Sequence, residues 1–138
     1  MKRSTFLTLA AASALGVGTT AILAPAMFLA SKGVIDNPAA EVWMREVGVL
    51  IFASGVAALA VRNHEDSPTL RALLLSNAVV QWGLLPIELL AFSRAAITNG
   101  WGIVPNTILH VVLGAAFLFY ASRVEVSRSG GAERRATN

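Results

Sequence analysis

The chain has 138 residues, 55% of them hydrophobic and 14% charged, with a mean hydropathy of +0.63 and a formal net charge of +3. That composition belongs to an integral membrane protein, and the length excludes two ordinary domains. The lack of cysteine excludes disulfides, thiolate metal ligands and cysteine nucleophiles, while Lys and Arg spread along the chain, with no basic cluster interleaved with aromatics, argue for a topology signal rather than nucleic-acid binding.

Four apolar segments, at about 6–30, 42–61, 70–96 and 103–122, predict an all-α bundle of four transmembrane helices within one domain over residues 1–126. Each meets the roughly 20 residues that a helix needs to cross about 30 Å of hydrocarbon. In the first, Lys2-Arg3 and Ala24-Pro25-Ala26 have the parts of a cleavable secretory signal. The length of the apolar run and the proline inside the cleavage motif favour a retained helix. Ala12, Gly16 and Thr20 stand at small-xxx-small spacing, which predicts close packing inside the bundle or against another subunit.

Asn37-Pro38 reads as an N-cap and first-turn proline ahead of the second segment. That segment carries Arg45 and Glu46 near its start and a small-residue face at Ala53, Ala57 and Ala60. Ser67-Pro68 opens the third segment in the same way, and there Asn77, Gln81 and Glu88 fall within about 40° of one another as a polar stripe. Pro86 cannot donate to the carbonyl of Trp82, which predicts a kink. Asn99-Gly100 reads as a helix C-terminus. In the fourth segment Pro105 marks the outer end, and Asn106 and His110 share a face with Phe117 and, more loosely, Tyr120. Trp43 and Trp101 fit an interfacial belt, while Trp82 reads as buried within its span.

A cytoplasmic N-terminus puts Lys2, Arg3, Arg62, Arg71, Arg123, Arg128, Arg134 and Arg135 inside, and Lys32, Arg45 and Arg94 outside. The positive-inside rule then predicts both termini inside, with residues 127–138 as a flexible cytoplasmic tail, in a bacterial inner membrane. In this orientation Glu88 lies about 9 Å, and His110 about 10 Å, from the outer ends of their helices. Arg45, Glu46 and Asn106 belong to the same level. Ionisable groups at membrane depth are costly and face the bundle or a wet cavity, so their convergence predicts an outer-half pocket with an aromatic floor.

The candidate catalytic pair is Glu88 and His110, because a carboxylate and an imidazole can exchange a proton. Arg45, Glu46, Asn77, Gln81, Asn106, Trp82, Phe117 and Tyr120 are the candidate ligand-binding residues. Each has a structural alternative: Glu88 as a strut to Arg45 or His110, His110 as an interhelical hydrogen-bonder, Arg45 as the i, i+4 partner of Glu41. No nucleophile elbow, Gly-rich phosphate loop or H-E-x-x-H is present, and the other histidine, His64, lies in a loop. No metal or cofactor is expected.

Three readings follow. The first is a protein that binds or processes a small lipophilic molecule by acid-base chemistry such as isomerisation, cyclisation or hydration. The second is a scaffold or accessory subunit, in a homo-oligomer or with a membrane protein partner. The third is a proton-coupled transporter, against which stands the lack of polar residues below Asn77. The segments 45-REVG-48, 63-NHEDSPTLR-71, 86-PIELLAF-92 and 105-PNTILH-110 resemble small four-helix membrane proteins of the Erg28-like and DoxX-like kinds over about residues 40 to 120. Erg28-like proteins are scaffolds for sterol-synthesis enzymes and DoxX-like proteins accompany redox or oxidase complexes. The resemblance therefore implies the second reading, and it supplies no catalytic residue.

Overall fold

The computed structural model describes residues 1–35 and 37–125, which form five helices: α1 (Arg3–Leu23), α2 (Pro25–Ser31), α3 (Pro38–Val61), α4 (Pro68–Ser93) and α5 (Gly100–Ser122). The expected tail at 127–138 lies outside the described residues. Four of the helices, α1, α3, α4 and α5, are long and apolar enough to cross a membrane. At most 33% of any spanning window is buried by protein, and side chains such as Leu50, Val79 and Val112 stand more than half exposed. Exposed apolar surface of that extent, on helices whose backbone is internally satisfied, suits a lipid bilayer.

Local chemistry sets the helix ends. The Asn37 side chain accepts from Ala39 N at 3.0 Å and Ala40 N at 3.4 Å, with Pro38 in the first turn, so α3 starts four residues before the hydropathy suggests. Ser67 Oγ accepts from Leu70 N at 3.1 Å and opens α4 in the same manner. Asn99 corrects an expectation: its side chain accepts from Trp101 N at 3.1 Å, so Asn99-Gly100 begins α5 rather than ending α4. The end of α4 comes instead at Ser93, followed by Ala95 with a left-handed φ of 56°.

The first expected span is two helices. Proline disfavours the helical conformation in the residue before it, and Ala24 takes φ −135° and ψ 54°, after which Pro25 starts α2. Pro86 and Pro105 both lie inside continuous helices, Pro105 in the second turn of α5 rather than at its end.

The helices pair as α1 with α3 and α4 with α5. Gly18 and Gly48 set the first pair: a Cβ on Gly18 would stand 2.7 Å from Phe52 N, and one on Gly48 would stand 2.9 Å from Ile22 Cγ1. Backbones that close gain dispersion contacts, which replace the hydrophobic drive that lipid does not supply. The α1–α3 contact is therefore not made along the small-residue rows expected from spacing, of which Thr20 and Ala57 alone are half-buried. Ala12, Gly16, Ala53 and Ala60 are exposed, while Ala11, Gly18, Gly48 and Gly55 are buried.

The two ends of the bundle differ. At the near end, where the chain begins and α5 stops, Phe6, Leu7, Leu70, Leu74, Phe117 and Ala121 form a dry core drawn from both pairs. The Phe6 ring stacks on Tyr120 and meets Phe117 edge-on, each at 4.9 Å. Arg3 pairs with Asp66 and donates to His64 O at 2.7 Å, while Glu125 N donates to Asp66 Oδ2 at 2.8 Å. The Arg3 hydrogen bond, followed by that from Glu125, holds the Asp66 carboxyl below its ordinary 3.8.

At the far end Gly33 turns the chain with φ 71°, a conformation that glycine adopts without strain. The Lys32 carbonyl there accepts from both Thr98 N and Asn99 N at 3.2 Å. Thr98 Oγ1 donates to Gly33 O and Asn99 Nδ2 to Ser31 O, each at 2.9 Å. These bonds fasten the segment after α2 to the turn between α4 and α5.

Candidate functional site

Above the dry core the helices enclose a cavity of about 250 Å³. Its walls are apolar, with Val17 from α1, Met44, Val47 and Ile51 from α3, Val80 and Leu84 from α4, and Leu109 and Leu113 from α5. Phe117, 2% exposed, lies at the near-end side and belongs to the core as well, so it forms the expected aromatic floor.

The polar residues gather toward the far end. Glu88 Oε1 accepts from Lys32 Nζ at 2.5 Å and from Asn106 Nδ2. The same Asn106 nitrogen lies 3.0 Å from His110 Nε2, and His110 Nδ1 lies 2.6 Å from Gln81 Oε1. Five side chains from the segment after α2, from α4 and from α5 thus form one connected chain. Lys32, Glu88 and His110 are each only 11–12% exposed. At that burial the ion pair is costly to assemble but more costly to break, because a lone charge would remain in a poorly polarisable surrounding. The Lys32 ammonium also sits 5.6 Å from the Phe28 ring centroid, a weaker attraction that helps to hold its stem across the cavity mouth.

One atom in this cluster is not satisfied. Glu88 Oε2 is buried with no hydrogen-bond partner among the described residues, and His110 Nε2 faces it at 3.9 Å. At that distance the two atoms are not hydrogen-bonded, and Nε2 is taken up by Asn106. A proton on His110 Nε2, with the two side chains drawn closer, would give Oε2 a donor.

Of the residues singled out from sequence, the cavity brings together Glu88, His110, Asn77, Gln81, Asn106 and Phe117. Asn77 is the deepest of the polar set and donates its amide back to Leu73 O at 3.0 Å. The other four do not line it. Arg45, half exposed, pairs with Glu41 at 3.4 Å across one helical turn, and Glu46 is exposed on the same helix. Trp82 is 40% exposed rather than enclosed, and its indole covers Gly114, where a Cβ would lie 2.8 Å from Nε1. Tyr120 belongs to the near end and donates to Met1 O at 2.8 Å.

Sequence reasoning missed Lys32. Hydropathy puts a lysine after an apolar run among the headgroups, whereas the turn at Gly33 and the bonds to Thr98 and Asn99 direct it back over the cavity. The available signal was a buried carboxylate at the level of three cations, Lys32, Arg45 and Arg94, of which one had to serve it. Among the described residues no group of three His, Asp or Glu side chains could hold a metal ion.

No protein-family model, no curated protein and no solved structure matches the chain. The likeness to the Erg28-like and DoxX-like kinds stands on its quoted residues alone.

Proposed function

We propose that this integral membrane protein, with both termini on the cytoplasmic side, binds a small lipophilic molecule in the cavity and exchanges a proton with it through Glu88 and His110. The observation that carries the reading is the buried, unpartnered Glu88 Oε2 with His110 Nε2 3.9 Å away, at the polar end of an apolar cavity. Lys32 and Asn106 fix the carboxylate, and Gln81 fixes the imidazole, so little reorganisation accompanies arrival or departure of the proton. Isomerisation, cyclisation or hydration would require no further group. The far end then faces outward, and Trp43 and Trp101, 67% and 86% exposed, suit its headgroup layer.

A scaffold is the second reading, favoured by the outward-facing small residues Ala12, Gly16, Ala53 and Ala60, which leave room for another helix. The dry core between the cavity and the near end counts against a transporter.

Native mass spectrometry of the protein released from its membrane tests the choice. A retained lipophile that disappears in Glu88→Gln, while the melting temperature stays within a few degrees, is the expected result. A stoichiometric protein partner with no small molecule would overturn the binding reading in favour of the scaffold.

A further inference from the structure

The polar chain has a direction, and that direction determines what its open end offers. A carboxylate only accepts, so Asn106 Nδ2 is the donor to Glu88 Oε1. The same nitrogen has a second hydrogen and no accepting lone pair, so at 3.0 Å it donates to His110 Nε2. An imidazole unprotonated at Nε2 has its hydrogen on Nδ1, which donates to Gln81 Oε1 at 2.6 Å. The Gln81 carbonyl is thereby occupied. Its NH2 group remains, on a half-buried side chain that lines the cavity and donates to no group among the described residues. Accepting at Oε1 polarises the amide and strengthens those N–H groups as donors.

A free donor in an apolar cavity requires an acceptor. We infer that the ligand is a compact lipophilic carbonyl compound whose oxygen accepts from Gln81 Nε2. This identification of ligand class rests on the reading of the cavity as a binding site. Size limits it further: a cavity of about 150 Å³ holds benzene, so this one, at about 250 Å³, holds roughly ten non-hydrogen atoms by proportion. The ketone would then lie with its oxygen at Gln81, one helical turn above Asn77, and its carbon frame against Val80, Leu84 and Leu113.

The test uses the full chain in lipid nanodiscs, titrated calorimetrically with 1-tetralone, 1-tetralol and tetralin against empty nanodiscs to remove partitioning into lipid. These three share one bicyclic frame and differ only in a carbonyl, a hydroxyl or neither. The ketone should bind about fivefold to tenfold more tightly than tetralin, the effect of one neutral hydrogen bond. Gln81→Met, which also releases the His110 ring, should reduce that ratio to within about twofold, each ketone affinity being read against tetralin on the same variant. Should the variant fail to fold, the ligand series on the unaltered protein decides alone. Equal binding of ketone and hydrocarbon, or tighter binding of the alcohol, overturns the carbonyl class and leaves the pocket standing. No binding by any of the three overturns the compact carbonyl ligand, and the pocket falls with it only if native mass spectrometry also finds no lipophile.

Discussion

The two ends of the bundle are built from the same four spanning helices and use them in opposite ways. At the near end Leu7 and Leu74 are fully enclosed and every large side chain in the core touches another. In the far half the four helices line about 250 Å³ of space and, with the segment after α2, hold an ion pair, two amides and an imidazole there. A membrane bundle has no hydrophobic force drawing its helices together, so dispersion in the dry half is what offsets an open, polar half. Stability and chemistry are thus divided by depth.

The largest effect that tests this division is at the near end. Leu74→Ala should lower the unfolding free energy by about 3 kcal/mol, through lost contacts and the void left behind, and leave ligand affinity within about twofold. Thermal unfolding in detergent and calorimetry in nanodiscs measure the two quantities, and a large loss of affinity would show that the ends are not separate.

A loss of similar size, about 3 kcal/mol, is expected for Lys32→Met, which strands the Glu88 carboxylate. Combining it with Glu88→Gln should recover at least half, because the stranded charge is gone. If the double variant is no better than the single, the far end acts as a strut and the contrast with the near end collapses. Leu74→Ala and Lys32→Met should be additive within about 0.5 kcal/mol.

The smallest effect concerns Asp66, whose carboxyl Arg3 and Glu125 hold below its ordinary value. A depressed folded-state value means that the contribution is complete above the unfolded value near 3.8 and is lost as pH falls through the folded one. The melting temperature should therefore begin to drop as pH falls below about 5 and go on dropping below 3.8, until the folded-state carboxyl is protonated. In Asp66→Asn that drop should shrink, and an unchanged pH profile would remove Asp66 from the near-end clamp.

Much of this was legible in the sequence because helix period and hydropathy determine face and depth together. Glu88, Asn106, His110 and Gln81 converge as expected, since residues at one level on inward faces have nowhere else to go. Lys32 was not legible, because its direction depends on a left-handed glycine and on two backbone donors 66 and 67 positions further along the chain, at Thr98 and Asn99. Asn99 itself was misread since the same side chain suits either end of a helix. The interface of α1 was ambiguous for a compositional reason: Ala10, Ala11, Ala12, Ala14, Gly16 and Gly18 put small residues on every face, so spacing could not single one out. Tyr120 shows a further limit, that a shared helical face does not fix depth: it lies past Phe117 at the near end, hydrogen-bonded to Met1.

The bond between Lys32 and Glu88 also sets a schedule for biogenesis. The two residues are 56 positions apart, so at about 5 to 20 residues per second the ribosome delivers the carboxylate roughly 3 to 11 s after the ammonium. Asn106 follows 18 positions later. The α1 and α3 pair, with its glycine contacts, can form while Lys32 is still solvated by headgroups and water. The polar cluster becomes complete only when the last helix arrives, so a nascent chain arrested before α5 would carry the acid, its counter-ion and Gln81 without Asn106 or the imidazole.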